Sequence, residues 1–171
     1  MSEVPFVYSY VYLSRASDDF DERDIESIVE ISRRNNTRDG VTGMLLYKDG
    51  RFLQILEGDE SKVKAIASRI EADPRHDEVT VIFDGKMPQL FNDWSMGYAN
   101  LNADLFRNHP AVLDYFRKTW CAESFQSAQT RVRRLLLNMR YSAIDPAAWF
   151  ARPARSRGLR RHSADQAHQT I

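Results

Sequence analysis

The sequence predicts an α+β fold: a ferredoxin-like mixed sheet with two helices on one face, followed by a C-terminal helical extension. Strand-like alternation and helical spacing follow each other in the order strand, helix, hairpin, helix, strand and strand. An Asp-Gly dipeptide joins the two strands of the hairpin. Apolar residues make up 43% of the 171 residues, which is enough for one well-formed core. This order of elements suits a sheet whose two helices cover the same side.

The first predicted element is a strand from Phe6 to Ser14, which alternates and is rich in valine and tyrosine. Tyr8, Tyr10 and Tyr12 share one face of this strand, and the valines and Leu13 share the other. Apolar groups on both faces are typical of a strand with neighbours on both sides. We therefore expect it inside the sheet.

The second predicted element is a helix from Glu22 to Arg34, with Asp21 as its N-cap. Asn35 and Asn36 are expected to end it, because asparagine tolerates the left-handed conformation found at helix C-termini. The helix carries a stripe expected to face inward, which consists of Ile25, Ile28, Val29 and Ser32.

A β-hairpin is predicted from Val41–Tyr47 and Phe52–Leu56, joined through Asp49 and Gly50. Asp-Gly favours a type I′ turn, because this turn needs positive φ at both central residues. A two-residue loop fixes the register, so Gln54 should stand opposite a leucine of the first strand.

The second half of the sheet domain follows the same logic. Asp59 is expected to cap a second helix, along which Val63, Ile66, Ala67 and Ile70 show helical spacing. Val79–Phe83 is predicted as a strand, and Trp94–Ala99 as the last strand.

Three segments divide the chain. Residues 1–102 form the predicted sheet domain, residues 103–150 a helical extension and residues 151–171 a disordered basic tail. In the extension, Pro110 is expected to open one helix, and Phe125–Met139 to form another with a long apolar stripe. The tail could bind nucleic acid or acidic lipid through counterion release, but a solvated tail is the simpler interpretation, so nucleic acid is not an expected partner.

Common catalytic and metal-binding patterns are absent from the sequence. It contains no glycine-rich phosphate loop and no Gly-x-Ser-x-Gly elbow, and its four histidines lack metal-ligand spacing. We therefore expect neither an enzyme nor a metal site. The single cysteine, Cys121, and the lack of a signal-peptide pattern or a long apolar run favour a cytoplasmic location without a membrane span.

One polar residue is unexpected on a strand of this kind. Gln54 shares its strand face with Phe52 and Leu56, so its amide should be buried. A buried amide without partners costs about 1–3 kcal/mol, so something must satisfy both of its ends. A neighbouring backbone group or a water molecule could do so, and Tyr12 alone could be an ordinary packed strand residue.

Five short segments stand in an order and spacing that match a known domain. They are Arg34–Asn36, Gly40–Leu45, Phe52–Gly58, Arg75–His76 and Trp94–Met96. Together with Tyr12, they resemble the sequence signature of BLUF photoreceptor domains, which sense blue light using flavin. The resemblance extends over about residues 4–101.

The resemblance implies a noncovalently bound flavin, FAD, between the two helices on the sheet. By position, Asn36 would hydrogen-bond the carbonyl edge of the isoalloxazine ring, with Asn35 beside it. Arg69 and Asp73 would reach the pyrimidine side of the ring and the ribityl chain. His76 would lie near the ring.

The resemblance also implies a light reaction. Ile28 and Ile66 would line the helix faces around the ring. Tyr12 would donate an electron to the excited flavin, and Gln54 would pass a proton between the two. The Gln54 amide would then be left rotated or tautomerised, and its changed hydrogen bond to the flavin would shift the absorption slightly to the red.

Output is expected to pass through protein contacts. Trp94 and Met96 would exchange places near Gln54 and carry the signal, although both could instead be core or interface residues. The residues after the sheet domain are too few for an effector enzyme, so a separate downstream effector protein or a homo-oligomer is the expected partner. Two rival functions remain open at this level: a flavin-dependent redox enzyme and a cofactor-free ferredoxin-like regulatory module.

Overall fold

The computed structural model describes residues 4–92, 95–102 and 134 of the chain. The predicted helical extension and basic tail therefore lie outside the described residues, apart from residue 134. The elements in chain order are strand β1 (Phe6–Ala16), helix α1 (Glu22–Asp39), strands β2 (Thr42–Lys48) and β3 (Arg51–Gly58), helix α2 (Glu60–Glu71), and strands β4 (His76–Pro88) and β5 (Gly97–Asn100).

The strands form one mixed five-stranded sheet in the order β4-β1-β3-β2-β5. β1 pairs antiparallel with β3 and β4, and β2 pairs antiparallel with β3. β5 extends the sheet by pairing parallel to β2. The predicted α+β, ferredoxin-like sheet is confirmed, and β1 lies inside it as its two apolar faces indicate.

The two faces of the sheet contribute to separate apolar clusters. Both helices pack on the face that carries the β1 tyrosines, as predicted. This helix-covered cluster includes Tyr8, Tyr10, Tyr12, Ile25, Ile28, Val29, Leu45, Phe52, Leu56, Val63 and Ala67. The opposite face is buried too and includes Val11, Leu13, Met44, Leu46, Leu53, Ile55, Leu90 and Phe91. Gln54 therefore lies on the helix-covered face of a strand buried on both sides.

Helix α1 begins as predicted but ends later. Asp21 accepts from the backbone of the first turn, and Asp24 accepts from the Asp21 N–H, which completes a capping box. The expected end at Asn35 and Asn36 is wrong, because both stay helical. The left-handed residue is Gly40, with φ 66°, and glycine adopts that conformation without the Cβ penalty that asparagine has.

The hairpin matches its prediction closely. Asp49 and Gly50 both have positive φ, at 48° and 74°, as a type I′ turn requires. Leu45 stands opposite Gln54, as the two-residue loop predicts.

Two strands differ in length from the sequence prediction. β4 covers 13 residues rather than the predicted Val79–Phe83, because its ladder with β1 continues in both directions past register shifts. β5 begins at Gly97, later than predicted, and Trp94 lies outside the described residues. Across the described part of the chain, no helix has the length and apolar character needed to cross a bilayer.

Candidate functional site

A buried hydrogen bond joins the two residues on which the sequence prediction depends most. Tyr12 on β1 and Gln54 on β3 are direct partners in the antiparallel ladder. The Tyr12 hydroxyl donates to Gln54 Oε1 at 2.5 Å. The two side chains are 0% and 4% exposed, so water has little access to this contact. The carbonyl end of the Gln54 amide is thereby satisfied.

The nitrogen end of the same amide has a weaker partner. Gln54 Nε2 lies 3.6 Å from the sulfur of Met96 and donates to it. A thioether is a weak acceptor, and an amide nitrogen carries two N–H groups. Within the described residues, the Met96 sulfur is the one hydrogen-bond partner of this nitrogen. The amide therefore keeps capacity to donate to a ligand.

A cavity of about 170 Å³ lies beside Gln54, between α1 and α2. It is lined by all eight residues predicted to contact a cofactor: Ile28, Asn35, Asn36, Gln54, Ile66, Arg69, Asp73 and His76. The further lining residues are Ile31, Ser32, Leu56, Ile70 and Arg75. Tyr12 is not in the lining, and its hydroxyl is hydrogen-bonded to the lining residue Gln54.

Helix α1 places two polar side chains against the segment that precedes β5. Asn36 is 2% exposed, and its Nδ2 donates to the backbone carbonyl of Ser95 at 2.9 Å. One turn earlier, Arg33 Nε donates to the carbonyl of Met96 at 3.0 Å. The longer helix makes this arrangement possible, because Asn36 sits within a regular turn rather than at a frayed end.

The rim of the cavity near the end of α2 carries an ion pair. Asp73 accepts from Arg75 Nη2 at 2.5 Å and also from its Nε and its backbone N–H. The hydrogen bonds from Arg75 hold the pKa of the Asp73 carboxyl below its ordinary value. Arg75 was not predicted as a lining residue, although the Asp-Pro-Arg sequence is a signal for such a turn-closing pair.

His76 lies between the cavity and the aromatic core. Its Nδ1 lies 2.9 Å from the Ser14 hydroxyl, and its ring centroid is 5.0 Å from that of Phe52. Burial lowers the pKa of His76 below its ordinary value and so favours the neutral imidazole. The ring of Tyr12 is 6.2 Å away in an edge-on orientation.

The phenol of Tyr12 resists ionisation in this setting. Burial, followed by the charges of Tyr10 and Asp73, raises the pKa of Tyr12 well above its ordinary value. Tyr12 is therefore a neutral hydrogen-bond donor whose proton can leave only towards a direct partner. The neighbouring Tyr10, at a ring distance of 5.9 Å, donates instead to Glu71 at 2.6 Å.

The cavity suits a planar heteroaromatic ligand with carbonyl groups on its edge. Ile28 and Ile66 supply apolar walls from the two helices. The amides of Asn36 and Gln54 supply donors and acceptors, and Arg69 supplies a cation. In the part of the chain that is described, no three His, Cys, Asp or Glu residues group as metal ligands would.

Sequence reasoning gave no role to Glu57. This residue lies on β3, is 0% exposed, and belongs to the face opposite Gln54. Its two carboxylate oxygens accept from the N–H groups of Leu90 and Phe91, each at 2.8 Å. A charged residue within a strand buried on both faces is the signal that could have revealed it.

Comparisons with known proteins agree with this geometry. The chain is 29% identical to the photoactivated adenylate cyclase subunit beta of Euglena gracilis over 123 residues. The aligned stretch covers 71% of this chain and 14% of that protein. It is 44% identical over 66 residues to the blue light- and temperature-regulated antirepressor BluF of Escherichia coli K12, or 39% of this chain and 16% of that protein. The match thus spans less than a fifth of the length of either relative.

Solved structures show the same sheet domain. The dark-state structure of BlrB, a BLUF protein, matches with a TM-score of 0.64 at 28% identity over 80% of this chain and 98% of BlrB. The BLUF domain of BlrP1 matches with a TM-score of 0.58 at 25% identity over 82% and 94% of the two chains. Residues 7–97 match the sequence profile described as sensors of blue light using FAD. That match covers more than half of the chain and includes the cavity, so the chain belongs to the BLUF family of flavin-binding blue-light sensors.

Proposed function

We propose that this protein is a blue-light photoreceptor that binds FAD in the cavity between α1 and α2. Its light-driven change is a rearrangement of the Gln54 amide between Tyr12 and Met96. The observation that carries the proposal is the buried Tyr12–Gln54 hydrogen bond at the cavity wall, with the other end of the amide on a weak sulfur acceptor.

The cavity fits the ring of a flavin better than a whole dinucleotide. Its volume of about 170 Å³ is below the roughly 300–1,000 Å³ of pockets that enclose a complete small molecule. The ring would lie between Ile28 and Ile66, with the amides of Asn36 and Gln54 at its polar edge. The remainder of the cofactor would leave past Arg69 and Asp73, which are on the more exposed side of the lining.

FAD is proposed over FMN for two reasons. The profile that matches residues 7–97 describes sensors that use FAD. Arg69 is exposed at the cavity, where a cation can meet a diphosphate outside the ring site. Klebsiella pneumoniae BlrP1, a similar protein at 25% identity, has been solved with FMN. The choice between FAD and FMN is therefore tested directly below.

Bound flavin supplies a strong oxidant when it absorbs blue light. Tyr12 would donate an electron, a role supported by the hydrogen bond that joins its phenol to the Gln54 amide at the cavity wall. Because the phenol is buried and donates to Gln54 Oε1, a proton that leaves it would move through this hydrogen bond. Gln54 would hold or pass that proton, and the electron and a proton would then return to Tyr12. The amide would be left rotated or tautomerised, which exchanges the end that accepts and the end that donates.

Reversal of the amide changes the environment of Met96. With the oxygen of Gln54 turned towards it, the Met96 sulfur would lose its N–H donor and face a second acceptor. Met96 is 1% exposed and directly precedes β5, so a displacement of its side chain would change the packing beside this edge strand. Trp94, two residues earlier, would take part in the same movement.

The signal is proposed to reach a separate effector protein rather than an active site in this chain. Residues 1–102 would form the sensor, residues 103–150 the contact surface, including any homo-oligomer contact, and residues 151–171 the basic tail. The relatives support a partner-directed output, because they include an antirepressor and adenylate cyclase subunits.

Cofactor identity and photochemistry test the proposal together. Denaturation of the yellow protein should release a flavin that chromatography identifies as FAD. Blue light should then shift the visible absorption of the intact protein slightly to the red, and the shift should reverse in the dark. Protein that stays colourless after reconstitution with FAD, FMN and riboflavin would disprove the photoreceptor function. Release of FMN alone would disprove the choice of FAD.

A further inference from the structure

The segment that carries Met96 is attached to helix α1 through backbone carbonyls. Arg33 Nε donates to the carbonyl of Met96 at 3.0 Å, and Asn36 Nδ2 donates to the carbonyl of Ser95 at 2.9 Å. Arg33 and Asn36 are one helical turn apart, so they present their donors from the same side of α1. Two consecutive carbonyls are thus held by one helix.

The same connection is held at its other end by strand β3. The Glu57 carboxylate accepts from the N–H groups of Leu90 and Phe91. The β4–β5 connection therefore begins on an anchor from β3 and ends on an anchor from α1. The backbone of Ser95 and Met96, just before β5, is held by the α1 contacts.

Arg33 is suited to hold a buried carbonyl. Burial lowers its pKa, but a guanidinium stays charged in proteins at any ordinary pH. A charged donor makes a stronger hydrogen bond to a carbonyl than a neutral donor does. The adjacent Arg34 has the same side chain but is exposed, so the chain itself provides a matched comparison.

A fixed backbone matters here because methionine is flexible. Its side chain has three rotatable bonds and adapts easily to its surroundings. The 3.6 Å contact between the Met96 sulfur and Gln54 Nε2 therefore requires that the backbone of Met96 does not drift. Strand β5 fixes the chain only from Gly97 onwards, where it pairs with Met44.

We propose that Arg33 is a positioning residue of the light switch: it holds the backbone of Met96 so that the sulfur rests against the Gln54 amide in the dark. The inference rests on the proposed function of Gln54. Arg33 acts through Met96 and not on the flavin, since it is absent from the cavity lining. When the amide reverses, the side chain of Met96 can move while its backbone stays in place, and the dark arrangement re-forms quickly.

The test compares Arg33→Met with Arg34→Met in the complete flavin-loaded protein. One readout is the methyl resonance of Met96 in dark-state protein labelled at its methionine methyl groups, assigned through Met96→Leu. The other is the rate of dark recovery. Arg33→Met should move the Met96 resonance and slow recovery about tenfold, which corresponds to about 1.4 kcal/mol of activation free energy. Arg34→Met should match the wild type in both.

A second pair of variants, with lysine in place of arginine, keeps the positive charge. Arg33→Lys keeps a charged N–H donor, although the ammonium group differs in shape from the planar guanidinium. This variant should therefore move the Met96 resonance less than Arg33→Met does. Arg34→Lys should again leave it unchanged. If Arg33→Met fails to fold by circular dichroism, the lysine pair decides the proposal.

The outcomes separate this inference from the proposed function. Arg33 variants that match their Arg34 counterparts in both readouts would overturn the positioning role, even if the light reaction is normal. Wild-type protein without a light-induced red shift would overturn the proposed function, whereas the dark-state Met96 resonance would still show whether Arg33 fixes Met96.

Discussion

Tyr12 and Gln54 face each other across one rung of the β1–β3 ladder, and the Tyr12 hydroxyl donates to Gln54 Oε1. This contact fixes the orientation of the amide, because a phenol that donates needs the oxygen end of glutamine. The nitrogen end is consequently turned towards Met96. The dark orientation of the proposed switch is therefore set within the sheet by a residue that does not line the cavity.

Replacement of Tyr12 by phenylalanine should keep the flavin but abolish the red-shifted state. The change removes the hydroxyl that is proposed to supply the electron and proton and leaves the volume of the ring. The measurement is the difference spectrum after blue light at equal flavin content. Tyr10→Phe is the matched control on the same strand face, since the Tyr10 hydroxyl donates to Glu71 instead. A lost red shift in Tyr10→Phe with a normal one in Tyr12→Phe would assign the photoactive role to the other tyrosine.

Gln54→Leu should also retain flavin and lose the red shift, because leucine has no amide to reverse. Its unfolding free energy should fall by about 1–3 kcal/mol, since the buried Tyr12 hydroxyl loses its acceptor. Chemical denaturation measures this change. Gln89→Leu is the control, because Gln89 donates a hydrogen bond to Thr42 away from the cavity. Loss of that hydrogen bond should leave the light-induced red shift unchanged. A normal light reaction in Gln54→Leu would show that the amide is not the switch.

His76 should make the protein less stable as the pH falls. Burial lowers the pKa of His76 in the folded state below the ordinary value of about 6.5, so the unfolded chain binds the proton first. The stability present above about pH 6.5 is then lost as the pH falls towards the lowered folded-state pKa. Unfolding titrations between about pH 7.5 and 5 should show this loss in the wild type.

His76→Gln is the control for that titration, because glutamine occupies the site without titrating. The wild type should lose more unfolding free energy than the variant over the same pH range. Equal slopes for the two proteins would mean that His76 takes up its proton equally well in the folded and unfolded states.

Glu57→Ala should destabilise the fold by roughly 2–6 kcal/mol. The change leaves the buried N–H groups of Leu90 and Phe91 without their acceptors, and each such loss costs about 1–3 kcal/mol. Glu30→Ala, at an exposed position of α1, should change stability by less than about 0.5 kcal/mol. Both changes in unfolding free energy can be measured from the midpoints of denaturant unfolding, provided that the dependence of free energy on denaturant concentration is unchanged. A Glu57 variant as stable as the Glu30 variant would show that other groups satisfy the two N–H groups.

The order of elements and the hairpin register could be predicted because they depend on local sequence. Asp49-Gly50 dictates its own turn and thereby places Leu45 opposite Gln54. The predicted end of α1 is wrong because two residue types compete for the left-handed position. Gly40 adopts this conformation at a lower free-energy cost than Asn36. Local propensity ranks such candidates only weakly.

The residues around the cavity were predicted from family resemblance, whereas Gln54 was also singled out by its polarity on a buried face. Arg33 and Glu57 were missed for a common reason. Both bind backbone groups that are distant in the sequence, at Met96 for Arg33 and at Leu90 for Glu57. A backbone carbonyl or N–H occurs at almost every position, so no side-chain pattern marks it as a partner.

The position of β5 implies different local stabilities for the two halves of the proposed switch. Gln54 lies on β3, which is paired on both sides in the middle of the sheet, whereas β5 has four residues and, in the described chain, pairs only with β2. Short edge strands open by local fluctuation far more readily than central ones. Amide hydrogens of Gly97 to Asn100 should accordingly exchange with solvent sooner than those around Gln54, and the region near Met96 is the part of the sheet that can move without unfolding the rest.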